Sequence, residues 1–363
     1  METGVIAKYK KTAAGVSPRN AVLCALLLIA MTMKAEAIES NADVLAARAD
    51  TLVAEDFLIA SDTPGITLYV RNKRPVGHQA SADRTVLFVH GATYPAETSF
   101  DLRLDGLSWM EFIALQGWNV YLVDLRGYGR STRPVEMSEP PEQNQPIVTT
   151  DVAIRDVGYA VDFILQRDGI TKLNLIGWSW GTTIMAGYTA QTNHKVERLV
   201  LYAPLWIIDS PPDLSGASKL GAYRQVTKEA AKQRWLRGVP EDKVGSLIPD
   251  GWFDAWADAT WSSDPLATES GLLRAPNGII HDVRTIWMQG KSTYYPVDIR
   301  VPTLIIGGNW DADTPPYMAQ KILELLTNAP ISRRVEIGEA THTVIMEKNR
   351  MQLFREVQLF LED

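Results

Sequence analysis

Five consecutive residues, Gly177-Trp178-Ser179-Trp180-Gly181, carry the spacing G-x-S-x-G. Between a strand and a helix, that spacing forces the central serine into a strained turn and lifts its hydroxyl above the sheet edge. Side chains two positions away would collide there, which is why both flanks are glycine. A serine hydroxyl is a poor nucleophile near neutral pH unless a base takes its proton as it attacks. The chain has five histidines from which to choose. His342, in Gly338-Glu339-Ala340-Thr341-His342, follows the last strand-like run, so its loop would hang over the same sheet edge as Ser179. His90, in His90-Gly91, reads as a structural hydrogen-bonding residue, and His78, His194 and His281 as polar surface.

A carboxylate between nucleophile and base in sequence should orient the imidazole. The run from Thr303 to Gly308 leads into Asn309-Trp310-Asp311-Ala312-Asp313-Thr314-Pro315-Pro316, where two aspartates compete. Asp311 leaves the strand directly, whereas Asp313 is placed to cap the proline-opened helix that follows, so Asp311 is favoured. Negative charge on a tetrahedral intermediate needs backbone donors. The N–H of Trp180 at the helix start is one, and Ala92 in His90-Gly91-Ala92-Thr93 is chosen as the second, with Thr93 in reserve.

The elements that must hold these groups follow from periodicity. Strands are expected at 67–71, 85–90, 120–125, 173–178, 198–203, 303–307 and 334–337, with helices between them. Alternation of this kind gives an α/β fold with a mostly parallel sheet. The clearest helix covers 151–167, with Thr149 and Thr150 as N-cap hydroxyls and Gly169 as its stop. Residues 133–145 read as a surface loop. Residues 205–298 break the rhythm without a convincing buried strand, hold six of the eleven tryptophans, and carry ten basic against twelve acidic residues. They read as a helical insertion over the site. Trp178, Trp206, Trp252 and Trp256 are its candidate pocket residues, with Phe253 and Trp261 extending an aromatic face.

Composition narrows the function. The chain of 363 residues is 46% hydrophobic and 22% charged, with 36 Lys+Arg against 43 Asp+Glu and a net charge of −7. No basic run could track a phosphate backbone, so nucleic acid is not an expected partner. One cysteine excludes paired-cysteine zinc sites and disulfide scaffolds, and no metal or cofactor is expected. Lys8, Lys10, Lys11 and Arg19 precede the 13-residue apolar stretch 21–33, and Ala35-Glu36-Ala37 gives a small-x-small pattern. That reads as a signal peptide cleaved after Ala37, for a periplasmic or secreted product. Thirteen apolar residues are too few to span a bilayer, which needs about 20. Cys24 reads as part of the signal core; without residues 1–37 the chain keeps no cysteine and a net charge of −10.

His90-Gly91 after one strand, Asp124-Leu125-Arg126-Gly127-Tyr128-Gly129-Arg130-Ser131 after the next, the turn at Ser179, Asp311 and His342 together resemble the α/β-hydrolase superfamily over about residues 56–362. The resemblance implies an eight-stranded, mostly parallel sheet with a helical lid inserted after the sixth strand. Residues 38–204 and 299–363 would form the core and 205–298 the lid. It also implies that the run from Asp124 to Ser131 supports the site floor rather than reacting. Dehalogenases and epoxide hydrolases of that superfamily use an aspartate where this chain has Ser179. Esterases, lactonases, cofactor-free perhydrolases and carbon–carbon bond hydrolases share the constellation. The leading expectation is a carboxylesterase for uncharged, apolar or aromatic esters.

Overall fold

The computed structural model describes residues 44–213 and 218–363. The expected signal peptide, its cleavage point after Ala37 and Cys24 lie outside the described residues. In chain order the strands are β1 (Val53–Ala60), β2 (Thr67–Arg74), β3 (Thr85–Val89), β4 (Asn119–Val123), β5 (Leu173–Trp178), β6 (Val196–Tyr202), β7 (Tyr223–Val226), β8 (Leu273–Pro276), β9 (Thr303–Gly308) and β10 (Ser332–Ile337). Eight form one sheet in the order β1-β2-β4-β3-β5-β6-β9-β10. The first two pairings, β1 with β2 and β2 with β4, are antiparallel, and the rest are parallel.

Every residue of β3, β4 and β5 is buried, as expected of parallel strands covered on both faces. Side chains alternate between two cores. Leu87, Val89 and Leu175 pack with Val157, Val161 and Ile184 of the helices Thr150–Asp168 and Trp180–Thr192. Val86, Phe88 and Ile176 pack on the opposite face with Trp109, Leu353 and Phe354, the last two from the helix Arg350–Glu362.

β1 was not expected from the sequence. It is an edge strand whose residues are mostly half-buried or exposed, and its Glu55 and Asp56 pair with Arg74 and Arg71. The Thr150–Asp168 helix ends at Gly169 in the left-handed conformation as expected. Its start differs: neither threonine caps it. Asp282 of the inserted segment accepts the Thr150 N–H at 2.6 Å instead, and the Thr150 hydroxyl accepts the Trp180 indole N–H at 2.9 Å.

Between β6 and β9 the chain forms helices Lys228–Trp235, Trp252–Ser262 and Gly278–Thr285, together with the antiparallel pair β7–β8. The buried β8 corrects the reading of this region as free of buried strand; four residues are too few to show a period. Arg274 of β8 and Asp264 make a buried bidentate ion pair, with Nε to Oδ2 at 2.9 Å and Nη2 to Oδ1 at 2.5 Å. Residues 133–145 are mostly exposed or half-buried, as expected of a surface loop, but they are anchored to the inserted segment. Met137 is buried, its carbonyl accepts from Arg274 at 2.6 Å, and Pro141 O accepts the Ala222 N–H at 2.8 Å, so this stretch is the seat of the insertion. Among the described residues no helix is long and apolar enough to cross a membrane.

Candidate functional site

Ser179 sits between β5 and the Trp180–Thr192 helix at φ 57°, ψ −121°, a backbone conformation that non-glycine residues rarely adopt. Close packing enforces it. A Cβ on Gly177 would lie 2.3 Å from the Gly181 carbonyl oxygen, and one on Gly181 would lie 2.5 Å from Val89 O. The Ser179 N–H donates to Tyr202 O at 2.9 Å, which fixes the turn against the end of β6.

His342 reaches the same place from the loop after β10. Its Nδ1 lies 2.8 Å from Asp311 Oδ2, so the proton belongs on Nδ1 and the lone pair on Nε2. Asp311 is 4% exposed, and its Oδ1 accepts the N–H groups of Asp313 and Thr314 at 2.9 and 2.8 Å. The Thr314 hydroxyl donates to its Oδ2 at 2.8 Å. Asp313 is turned away into ion pairs with Arg234, at 2.7 Å, and Arg237. It does not cap the next helix, whose N-cap is Pro315 with no side-chain bond. The Asp311 and His342 loops interlock at Gly308, where an added Cβ would overlap the Ala340 carbonyl oxygen.

Ser179 and His342 border one narrow cavity, with Gly91, Ala92, Thr93, Tyr94, Trp178, Ala231, Arg234, Trp235, Trp256, Asp313 and Thr343 completing its wall. About 30 Å³ of it is open to a water-sized sphere, space for a water or two. Among the described residues, none hydrogen-bonds the Ser179 hydroxyl.

The Trp180 N–H opens a helix and so has no intrahelical acceptor. Ala92 is held by its carbonyl, which accepts from the Tyr128 hydroxyl at 2.9 Å and from Arg224 at 2.5 Å, while its own N–H has no protein acceptor among the described residues. Thr93 N–H is also unengaged there, so it stays in reserve. His90 is fully buried, with Nδ1 2.7 Å from Gly91 O and Nε2 accepting the Leu125 N–H at 3.1 Å. Burial pushes its pKa down to about 4, so it is a neutral brace for this loop and not a base. Asp124 accepts the N–H groups of Ala96 and Arg130 at 2.7 and 3.0 Å, the supporting role expected of it.

Of the four tryptophans expected around the site, Trp178 and Trp256 line the cavity. Trp206 does not: it is buried edge-on against Tyr294, centroids 5.3 Å apart, in the other core. Trp252 does not either. One helical turn before Trp256, it is not among the residues of the cavity wall and carries the Arg350 guanidinium 4.5 Å over its ring. Phe253 and Trp261 flank Trp256 at 5.7 and 6.2 Å, and Tyr94 meets it edge-on at 4.6 Å.

Sequence reasoning passed over Tyr94 and Ala231 and took the arginines of the inserted segment as solvated surface. The charge balance of the insertion hid a local excess. Arg224 donates to Ala92 O and to Thr93 Oγ1, at 2.5 and 2.8 Å, with no carboxylate partner among the described residues. Arg234 and Arg237 share the single Asp313.

Solved structures with this fold include a hydrolase from Pseudomonas aeruginosa, with a TM-score of 0.57, 16% identity, and coverage of 85% of this chain and 99% of that one. A 2-hydroxy-6-oxo-6-phenylhexa-2,4-dienoate hydrolase from a Rhodococcus species aligns with a TM-score of 0.54, 13% identity, and coverage of 86% and 100%. A bacterial membrane phospholipase A aligns with a TM-score of 0.56, 19% identity, and coverage of 95% and 98%. The poly(3-hydroxyalkanoate) polymerase subunit PhaC of Haloferax mediterranei is 26% identical over 195 residues, which are 52% of this chain and only 36% of that protein's length. The family model described as alpha/beta hydrolase fold matches residues 84–349, which take in Ser179, Asp311 and His342, and the chain belongs to that family.

Proposed function

We propose that this chain is a serine hydrolase that cleaves carboxylic esters of uncharged, apolar or aromatic substrates through an acyl-enzyme on Ser179. The observation that carries the reading is the shared cavity of Ser179 and His342, with Asp311 fixing the imidazole from behind. His342 Nε2 takes the hydroxyl proton as Oγ attacks the ester carbonyl, and the imidazolium is stabilised by Asp311. The developing oxyanion is met by the N–H groups of Trp180 and Ala92. Protonation of the leaving alcohol by His342 frees it, and water, activated by the same base, releases the acid.

Tyr94, Trp178, Trp235 and Trp256 favour an apolar or aromatic acyl group. On this reading the inserted helices over the cavity shift to admit one. Lactone opening or carbon–carbon bond hydrolysis on the same residues is a second reading; Arg234 on the cavity wall and Arg224 beside it would serve its anionic substrates only on release from Asp313 and from Ala92 O and Thr93.

Labelling by a fluorophosphonate probe, lost in Ser179→Ala, tests the nucleophile. Turnover of an ester, lactone and vinylogous diketone panel then separates the reactions. Full steady-state turnover by folded Ser179→Ala overturns the mechanism. The proposal includes export, with a mature N-terminus near Ile38 read by N-terminal sequencing; a full-length cytosolic product refutes that part.

A further inference from the structure

Five residues after His342, Glu347 is fully buried, and among the described residues it has no ion-pair partner. Its Oε1 accepts the indole N–H of Trp235 at 2.9 Å and the hydroxyl of Thr341; its Oε2 accepts the Thr341 N–H at 3.1 Å. Trp235 belongs to the inserted segment and walls the cavity, whereas Thr341 immediately precedes His342. The Thr341 hydroxyl in turn accepts the Thr343 N–H at 3.2 Å. One carboxylate therefore joins the lid to the loop that carries His342.

We propose that Glu347 is a positioning residue that seats the lid on the His342 loop, so that closing the cavity and placing the base are one event. The inference rests on His342 acting as the base. A buried carboxylate without a cation is costly, and here only directed donors offset the cost. Apolar side chains could pack this contact, but they would not fix the direction of the Trp235 indole and the Thr341 peptide together.

The groups facing Glu347 from neighbouring elements are Asp311 after β9 and Tyr202 at the end of β6, with Trp235 from the lid and Thr341 from its own loop. Burial pushes its pKa up to about 7, and the Asp311 charge adds to the rise. The Tyr202 phenol is itself pushed well above its usual range. A proton gained by Glu347 below about pH 7 displaces one of its three donors and loosens one side of the link.

The test compares wild type, Glu347→Gln and Trp235→Phe in the full chain. It follows fluorophosphonate labelling, ester kcat and KM from pH 5 to 9, and the indole emission of each protein. In Glu347→Gln the new side-chain amide turns an N–H toward the Thr341 N–H, so above pH 7 kcat and the labelling rate should fall roughly tenfold. Of the ionisations in the kcat profile, the one near pH 7 that Glu347 contributes should vanish in Glu347→Gln. Trp235→Phe removes one donor, which should move that ionisation upward by about half a unit and raise KM more than it lowers kcat. A folded Glu347→Gln protein with the wild-type kcat and pH profile overturns the inference, as does an unmoved ionisation in Trp235→Phe. Absence of labelling in wild type would instead count against Ser179. In that event the emission difference between wild type and Trp235→Phe decides: a transition near pH 7 missing from Glu347→Gln supports the Glu347–Trp235 link, and its presence there refutes it.

Discussion

Trp178 donates its indole N–H to the carbonyl oxygen of His342 at 3.0 Å, tying the residue before the serine to the backbone of the histidine. The Tyr202 hydroxyl donates to the same carbonyl at 2.8 Å. The His342 loop is thus hung from β5 and β6, the two strands whose ends hold Ser179.

Trp178→Phe keeps an aromatic side chain, smaller than the indole, and removes one of these donors. kcat should fall on the order of tenfold, less than the ~10²-fold that a full 1 Å misplacement costs. Adding Tyr202→Phe should cost more than the two single effects multiplied, because the second donor then has no substitute. Multiplicative single effects in a kcat double-mutant cycle would show that the two bonds act separately.

Asp311→Asn should lower kcat by about 10⁴-fold, the loss known for the equivalent change in a serine protease, by stabilising the wrong imidazole tautomer. Asp313→Asn touches ion pairs with Arg234 and Arg237 and should cost far less. Steady-state kinetics of both variants ranks them, and an exchange of ranks would move the acid role to Asp313.

How legible this site was depends on what each residue's conformation required. Ser179 was legible because Gly177 and Gly181 are each forced by backbone contacts under 3 Å, and such contacts leave a fixed spacing in sequence. Asp311 was preferred for a reason that fails in part: Asp313 caps nothing, and Asp311 itself collects the N–H groups of Asp313 and Thr314. β1 was illegible because Glu55 and Asp56 are residue types depleted in strands, and their partners Arg74 and Arg71 on β2 are known only from the fold. Trp206 and Trp252 were indistinguishable from Trp256 because composition reports how many indoles a lid has and not which way its helices turn.

His90 predicts an acid limit on stability. Its pKa falls from the ordinary 6.5 to about 4 in the folded chain, so between those values the unfolded state binds more protons. Stability from this group is therefore complete above pH 6.5 and is lost as pH falls toward 4, by about 3 kcal/mol in all. Denaturant unfolding of wild type and His90→Gln at about pH 4.5, 5.5 and 7 should show wild type losing its advantage on acidification. A constant difference would mean that His90 is not held neutral.

Acyl-chain dependence tests the cavity and its charges together. Each methylene buried among Tyr94, Trp178, Trp235 and Trp256 should contribute about 0.8 kcal/mol, roughly fourfold in kcat/KM, until the space is full. With room for only a water or two before the lid shifts, part of that gain is spent on opening it, so the first additions should yield less than fourfold. Nitrophenyl esters from acetate upward should rise and then level. A succinate half-ester is the discriminating member, because its carboxylate loses hydration on entry and needs a cation to compensate. Arg234 is engaged with Asp313, and Arg224 with Ala92 O, Thr93 and the carbonyl of Pro276, so neither is free without breaking existing bonds. Slow turnover of the half-ester relative to the butyrate ester is therefore expected, little changed in Arg234→Gln. Preference for the half-ester, lost in Arg234→Gln, would reassign that arginine from lid anchor to substrate ligand and favour the anionic reading of the site.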